Sequence, residues 1–324
     1  MNATAPHHSV KRRFSASVPL DSFDPVETHQ APVPSRTSLS FEVMPPRHDV
    51  DETKIDELLA TLGSYRPDYI SVTSSRNSGW LEGTARFIEK VDAQTRIPTL
   101  AHLACTAGTR QELIDWINRL MDSGVRGFLA LRGDYAEGQT GMPAGYLPHA
   151  TDLISLIRSL ENDQRARFGA GRLAIGVAAY PSGHEESASR DEDIDVLLAK
   201  QRLGADFAIT QLFFDAEDYL RFAERARLAG VRIPLIPGIM PMTSLARLRR
   251  MGELSGLTVP DRLTRRLAAA GPEGEYQTGL DLTAELAQTI LAAGAGGMHV
   301  YTFNRPDTTT ELLDRIGIAP RPTG

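Results

Sequence analysis

The chain has 324 residues, of which 41% are hydrophobic and 23% are charged, as is usual for a globular protein that folds in water. Its formal net charge is −6. No basic excess is therefore present to neutralise phosphates, and we expect no nucleic-acid partner. No apolar run approaches the roughly 18 residues that a membrane span needs, so we expect no membrane segment either.

The single cysteine, Cys105, can form no internal disulfide, which favours a reducing, cytoplasmic environment. We predict that Cys105 lies in the third strand of the fold, as a small buried hydrophobic residue rather than a nucleophile.

The amino-terminal segment lacks the hydrophobic run of a signal peptide and is interrupted by four prolines between residues 14 and 36. We predict that residues 1–36 form a disordered tail. A single domain is expected over residues 37–320, followed by a frayed end over residues 321–324.

Eight short apolar runs recur along the chain, and most of them end at a polar residue. The runs cover residues 39–42, 69–73, 100–103, 128–134, 175–180, 207–211, 234–238 and 299–305. Such runs are typical of parallel strands buried on both faces. Amphipathic helical segments separate them at intervals of about 30 residues, which predicts an α/β fold of the (β/α)₈ TIM barrel type. The strand ends are then the expected place for an active site.

Helix signals support this alternation. Helices are predicted over residues 51–64, 109–123 and 217–229, with an additional one starting near Pro260 before the last barrel helix. Thr109 and Glu112 form a capping-box pattern at the start of the second of these helices. The segment 135–148 is rich in Gly and Pro and is expected to form a loop over the barrel mouth.

Two carboxylates stand at predicted strand ends. Glu42 precedes Pro45 and Pro46, and in an apolar pocket its pKa would be raised so that it could serve as a general acid. The alternative is a surface glutamate in a salt bridge. Asp134 follows Arg132, and it could provide electrostatic stabilisation or recognise an NH-rich heterocycle. The alternative there is an internal Arg132–Asp134 pair that braces the loop.

Other polar residues complete the candidate site. Gln211 carries an amide that can both donate and accept, which suits a lactam-like ring edge. Arg305 could bind a carboxylate through two parallel hydrogen bonds, or form a structural ion pair at the rim. His102 and His184 have no second ligand at a metal-binding spacing, so we expect no metal site and a hydrogen-bonding or packing role for both.

Six motifs occur in order and at compatible spacing between about residues 38 and 320. They are Ser40-Phe41-Glu42 with Pro45-Pro46-Arg47, Leu131-Arg132-Gly133-Asp134, Ala178-Ala179-Tyr180-Pro181 with His184, Ala208-Ile209-Thr210-Gln211 with Phe213-Phe214-Asp215, Ile236-Pro237-Gly238-Ile239, and Tyr301-Thr302-Phe303-Asn304-Arg305. Together they resemble the methylenetetrahydrofolate reductase family in its bacterial, single-barrel form. The resemblance implies reduction of 5,10-methylenetetrahydrofolate to 5-methyltetrahydrofolate, a one-carbon reaction that serves methionine biosynthesis.

The resemblance also implies roles for individual residues. Glu42 matches the general acid, Asp134 and Gln211 match positions near the pterin, and Arg305 matches a position toward the acidic tail of the folate. The positions of the flavin and nicotinamide site are matched by Thr73, His102, Arg132, Gly133, Tyr180, His184, Asp193 and Lys200. In this chemistry a neutral acid opens the small methylene-bearing ring, and a fixed anion such as Asp134 then stabilises the iminium cation that accepts hydride.

The departures from the family pattern concentrate at the flavin positions. Ser74 replaces a tyrosine that contacts the flavin, Arg76 replaces a small alanine, and Val196 and Ala199 replace an asparagine and an arginine. Leu245 replaces an aromatic residue that stacks on ligands. Each lost anchor costs on the order of 1 kcal/mol or more of binding energy. FAD binding is therefore doubtful.

The sequence thus favours direct hydride transfer from NADH, with NADPH as the alternative donor. An ordinary FAD-dependent reductase remains the main alternative, and a reductase of a related pterin or with a deazaflavin donor is another. A pterin-binding regulator without activity is a third, although the retained Glu42 argues against it. The sequence leaves open whether the chain forms a homo-oligomer.

Overall fold

The computed structural model describes residues 38–46, 52–74, 80–135, 138–168 and 171–321. The predicted amino-terminal tail lies outside these residues, as do Arg47 and Arg76. The strands are β1 (Ser38–Val43), β2 (Tyr69–Val72), β3 (Thr99–Ala104), β4 (Gly127–Leu131), β5 (Ala174–Ala179), β6 (Phe207–Thr210), β7 (Leu235–Ile236), β8 (Gly238–Ile239) and β9 (Gly297–Tyr301). The helices are α1 (Glu52–Ser64), α2 (Trp80–Thr95), α3 (Arg110–Asp122), α4 (Ala150–Asp163), α5 (Arg190–Arg202), α6 (Ala216–Ala229), α7 (Leu245–Ser255), α8 (Asp261–Ala292) and α9 (Pro306–Arg315).

All strand pairings are parallel, in the order β7-β6-β5-β4-β3-β2-β1-β9-β8. The short strands β7 and β8 are two halves of one barrel strand: β7 pairs with β6, and β8 pairs with β9. Pro237 separates them, because it has no N–H to donate to a ladder. Its carbonyl still accepts from His299 N at 2.9 Å, which joins the two edges. The predicted (β/α)₈ TIM barrel is confirmed, with its seventh strand divided at a proline.

The core has two parts, set by the period of two along each strand. Outward residues of β1, such as Leu39 and Phe41, pack with the helices in the larger apolar cluster. A second apolar cluster is formed by Tyr69, Leu100, Leu129, Ala174, Phe207, Ile209 and Ile236. These residues come from five neighbouring strands and from β7, and they fill the amino-terminal part of the barrel interior. Polar side chains occupy the interior nearer the mouth.

The helix predictions are confirmed. Thr109 caps α3 with a complete capping box, in which Glu112 Oε2 accepts from Thr109 N at 2.7 Å. Helix α6 ends at Gly230, which has a φ of 102°. Helix α8 contains a non-helical Gly271 before Pro272 and so consists of two segments, the first of which is the additional helix. Among the described residues, no helix is long and apolar enough to span a bilayer.

Two predicted strands are shorter than expected. Strand β4 ends at Leu131, so Asp134 lies in the following loop rather than at the strand end. Gly133 has a φ of 83°, which a strand cannot continue. Strand β9 ends at Tyr301, and Arg305 occupies the N-cap position of α9, where its side chain makes no capping hydrogen bond.

Cys105 lies just outside the strand in which it was predicted. Cys105 begins a short 3₁₀ turn, Cys105–Ala107, immediately after β3 instead of lying in that strand. It is fully buried as predicted, and burial raises the pKa of its thiol to about 12, which makes it unreactive. Arg321 N donates to Ser64 O at 2.9 Å, and the rest of the segment expected to fray, residues 322–324, lies outside the described residues.

Candidate active site

The candidate residues gather at the carboxyl end of the barrel, as the fold dictates. Glu42 and His102 are on β1 and β3 and point inside the barrel. Eight others follow strand ends: Thr73 after β2, Arg132, Gly133 and Asp134 after β4, Tyr180 and His184 after β5, Gln211 after β6, and Arg305 after β9. Asp193 and Lys200 lie on α5. A cavity of about 120 Å³ at the mouth is lined in part by Asp134, Tyr180, His184 and Gln211.

Glu42 lies between two histidines. Its Oε2 atom is 3.4 Å from His102 Nε2 and 3.7 Å from His299 Nε2. Serines orient both rings: Ser71 Oγ is 2.9 Å from His102 Nε2, and Ser40 Oγ is 2.8 Å from His299 Nδ1. The Glu42 side chain keeps 20% of its surface exposed, toward the mouth. The carboxyl group is therefore largely enclosed but keeps some exposure to solvent.

The electrostatics of Glu42 differ from the expectation of a raised pKa. Burial raises the pKa of Glu42, but its interaction with His299 and the nearby charge of His102 together lower it below the ordinary value. Burial in turn lowers the pKa of His102, against the opposing effect of Glu42. Glu42 and His102 therefore affect each other's protonation in opposite directions.

His299 is a residue that sequence reasoning missed. It is fully buried, and its Nε2 atom has no hydrogen-bond partner among the described residues. The available signal was the period of two on β9, where His299 and Tyr301 share the inward face. Their register partners on β1 are Ser40 and Glu42, which also point inward.

Arg132 and Asp134 do not pair with each other. Arg132 forms a two-pronged ion pair with Glu186, in which Nη2 lies 2.9 Å from Oε1, and its guanidinium lies 4.7 Å from the ring centroid of Tyr135. Gly133 turns the chain between the two residues. The predicted alternative, a loop-bracing Arg132–Asp134 pair, is therefore wrong, and the exposed Asp134 lines the cavity instead.

The loop after β5 is tied together internally. The rings of Tyr180 and His184 pack edge to face, with centroids 4.6 Å apart. His184 Nδ1 accepts from Glu186 N at 3.1 Å, which places the carboxylate that holds Arg132. Asp193 accepts from Ser187 Oγ at 2.7 Å and from His184 N at 3.3 Å. Asp193 thus stabilises the loop from beneath.

Lys200 is also directed into the protein. Its side chain is buried, and Nζ donates to Ala178 O on β5 at 2.9 Å. Burial lowers the pKa of this ammonium to about 8, although the charge of Asp193 opposes the shift. Lys200 therefore braces the sheet in this conformation rather than facing the mouth.

Gln211 and Thr73 lie at the rim with their backbone groups satisfied. Gln211 N donates to Ala179 O at 2.7 Å, and its Oε1 accepts from Leu212 N at 2.8 Å. Because the amide oxygen is occupied, the –NH₂ group is the part of the Gln211 side chain that remains to donate to a ligand. Thr73 N donates to Val43 O at 3.0 Å.

Arg305 lies on a constrained loop. The preceding residues Phe303 and Asn304 have φ values of 50° and 56°, which are strained for side-chain-bearing residues. The Asn304 amide offsets this by bonding both Met44 N, at 2.8 Å, and Met44 O, at 2.7 Å. Among the described residues, Arg305 has no ion-pair partner, so the rim ion pair considered as its alternative role is not observed.

Comparison with known proteins identifies the family. Residues 27–317 match the model of the family described as methylenetetrahydrofolate reductase. The chain belongs to this family. It is 31% identical over 292 residues to the 5,10-methylenetetrahydrofolate reductase of Pectobacterium carotovorum subsp. carotovorum, covering 90% of this chain and 93% of the relative. It is 29% identical over 299 residues to the Escherichia coli enzyme of the same name, covering 92% and 96% of the two chains.

A solved structure shares the fold. An uncharacterized protein from Clostridium thermocellum, which binds two copies of 5-methyl-5,6,7,8-tetrahydrofolic acid, aligns with a TM-score of 0.59 at 16% identity. The alignment covers 88% of this chain and 94% of that chain. At this identity the likeness establishes a common fold.

The residues around α5 do not suit the flavin that the family pattern implies. Val196 presents an aliphatic side chain, 42% exposed, where the pattern has a polar anchor. Lys200 and Asp193 are turned inward, and the Arg132 guanidinium is held by Glu186. Among the described residues, no group of three or more His, Cys, Asp or Glu could hold a metal ion.

Proposed function

We propose that this protein reduces 5,10-methylenetetrahydrofolate to 5-methyltetrahydrofolate, with hydride passing directly from NAD(P)H. The proposal rests on a contrast at the mouth between the residues expected to bind folate and those expected to bind a flavin. Asp134 and Gln211 line a cavity at the mouth, and the Glu42 side chain keeps 20% of its surface exposed. On α5, in contrast, Val196 and Ala199 replace two polar anchors of the flavin pattern, and Lys200 is bonded internally. The resemblance to bacterial reductases favours NADH as the donor.

Glu42 supplies the proton in this scheme. The proton moves to one of the two ring nitrogens that share the methylene bridge, the bond from that nitrogen to the methylene carbon breaks, and an iminium cation forms on the other nitrogen. Hydride from the nicotinamide then adds to the iminium carbon, which becomes a methyl group as the nicotinamide is oxidised. Because the pKa of Glu42 is lowered in the free protein, the bound folate must raise it, by excluding water from the remaining exposed surface.

Asp134 and Gln211 act on the pterin. Asp134 forms no ion pair with its neighbour Arg132, so its negative charge remains available to stabilise the iminium cation. Gln211 has its amide oxygen occupied by Leu212 N, which leaves the –NH₂ group to donate to the pterin lactam carbonyl. The two residues line the same cavity, and so can contact one ring together.

Steady-state kinetics and the visible spectrum of one preparation test this proposal. We expect a colourless protein that turns over methylenetetrahydrofolate with NADH, gains no activity from added FAD, and gives intersecting initial-rate plots. Intersecting plots follow because both substrates must be bound together when hydride passes directly between them. Stoichiometric flavin with parallel-line plots would instead establish the ordinary FAD mechanism, and binding of folate without turnover would indicate a regulator.

A further inference from the structure

Arg247 is a cation at the mouth that sequence reasoning did not single out. It lies in the first turn of α7, with its guanidinium over the ring of Phe303 at 4.1 Å from the centroid. The side chain is half-buried, and its Nε atom is buried without a hydrogen-bond partner. Among the described residues, Arg247 forms no ion pair. A buried donor left in this state costs free energy and calls for an explanation.

A second unpaired cation lies beside it. Phe303, on which Arg247 packs, precedes Arg305 by only two residues. Burial lowers the pKa of Arg247, and the nearby positive charge of Arg305 lowers it further. Within the part of the chain that the structure describes, no carboxylate pairs with either guanidinium. Two like charges held together in this way repel each other, and an anion bound between them would relieve the repulsion.

The loop between the two arginines is firmly attached to the catalytic strand. Thr302 Oγ1 donates to Glu42 O at 2.6 Å, and the Asn304 amide bonds both backbone groups of Met44. These contacts stabilise the strained backbone at Phe303 and Asn304. The position of the cation pair is therefore set relative to Glu42, as a site for the far end of a substrate would require.

We propose that Arg247 and Arg305 together bind the carboxylates of the folate tail, and that Arg247 determines how strongly the protein prefers a more negatively charged tail. This inference rests on the proposed function. The tail of a monoglutamyl folate carries two carboxylates, and each planar guanidinium can bind one of them through two hydrogen bonds. Every further glutamate adds one carboxylate, so a two-cation site should favour polyglutamyl substrates.

The test compares Arg247→Gln with Arg249→Gln, which removes the same charge from an exposed position on the same helix. Substrates are the tail-free methylenetetrahydropteroate, the monoglutamate and the triglutamate. For Arg247→Gln we expect KM for the monoglutamate to rise about tenfold or more, with a larger rise for the triglutamate and little change in kcat. KM for the tail-free substrate should change little, and Arg249→Gln should behave as the wild type.

Arg247→Lys keeps the charge without the planar fork and should recover part of the lost affinity. An equal rise in KM for all three substrates would overturn the inference and assign Arg247 to packing on Phe303. An unchanged KM for the tailed substrates would overturn it as well. Binding of p-aminobenzoylglutamate, measured by calorimetry, needs no turnover. If the wild type reduces no methylene folate, the proposed function fails, while weaker binding of this fragment by Arg247→Gln still detects the tail site.

Discussion

The two sides of the barrel mouth differ in whether their polar side chains line the cavity or are bonded to other groups of the protein. On the side of β4 and β6, Asp134 and Gln211 line the cavity, and the Gln211 amide nitrogen has no hydrogen-bond partner among the described residues. On the side of α5, Arg132, Asp193 and Lys200 are bonded to Glu186, Ser187 and the backbone of β5. The presence of a matching residue therefore does not establish that its polar group is available to a ligand. This difference is the physical basis for preferring direct hydride transfer over a flavin.

The largest effect is expected for Glu42→Gln. Glutamine fills the same space but supplies no proton, so kcat should fall by about 10²-fold or more while folate binding is retained. The matched control is Glu57→Gln, at an exposed position on α1, which should leave kcat unchanged. Rapid-mixing measurements with NADH give kcat, and fluorescence titration gives the affinity for folate. A variant with nearly full kcat would remove Glu42 from the mechanism.

The lowered pKa of Glu42 also predicts a pH dependence. The reactive protonated form becomes rarer as pH rises above this pKa, so kcat/KM should fall by about tenfold per pH unit between pH 6 and 8. The same slope should be absent from the residual activity of Glu42→Gln. A wild-type profile that is flat over this range would contradict the assignment of the proton to Glu42.

Asp134→Asn should reduce kcat by roughly tenfold to 10²-fold, because the amide removes the negative charge that stabilises the iminium cation. The Arg132–Glu186 pair should survive, since it does not involve Asp134. Glu186→Gln is the comparison on the other side of the mouth and should affect kcat less. Steady-state kinetics of both variants decide between the two sides, and unchanged kinetics for Asp134→Asn would exclude its charge from the mechanism.

Gly133 lies between Arg132 and Asp134 in the loop after β4. Its replacement by alanine should destabilise the protein. A Cβ atom there would lie 2.0 Å from Thr106 Oγ1, at a φ of 83°. We expect the free energy of unfolding to fall by about 2 kcal/mol or more. Gly138→Ala is a matched control: its φ is 79°, but no described atom lies within 4 Å. It should lose only about 1 kcal/mol. Urea unfolding measures both, and equal losses would contradict the predicted clash.

The fold was predictable because apolar runs and caps are local signals. The eight runs correspond to the barrel strands, and Thr109 and Glu112 form the predicted cap. The strand ends were predicted less well, since the positive φ of Gly133 leaves no periodic signal. Pairings between distant residues were also missed: His299 meets Ser40 only because β9 closes against β1.

Within the site, the residue types could be predicted from the sequence, but the hydrogen-bond and ion-pair partners of these residues could not. The sequence places Arg132 beside Asp134, yet its partner is Glu186, which lies in the loop after the next strand. No spacing rule connects the two, because their contact depends on the path of that loop around His184. The same limit applies to Lys200, whose Nζ contact on Ala178 depends on how α5 packs on β5.

The smallest effect is expected from restoring the polar anchors of α5. The double variant Val196→Asn with Ala199→Arg should raise the affinity for FAD by roughly tenfold, since each regained hydrogen bond contributes about 1 kcal/mol and the ordering of the new arginine offsets part of the gain. Val196→Leu with Ala199→Leu is the control, because it adds bulk without polar groups and should bring no gain. Flavin fluorescence quenching measures both. The gain stays limited because Arg132 and Lys200 remain bonded internally. Tight FAD binding by the wild type would contradict this account, since it would require those internal bonds to open for the flavin.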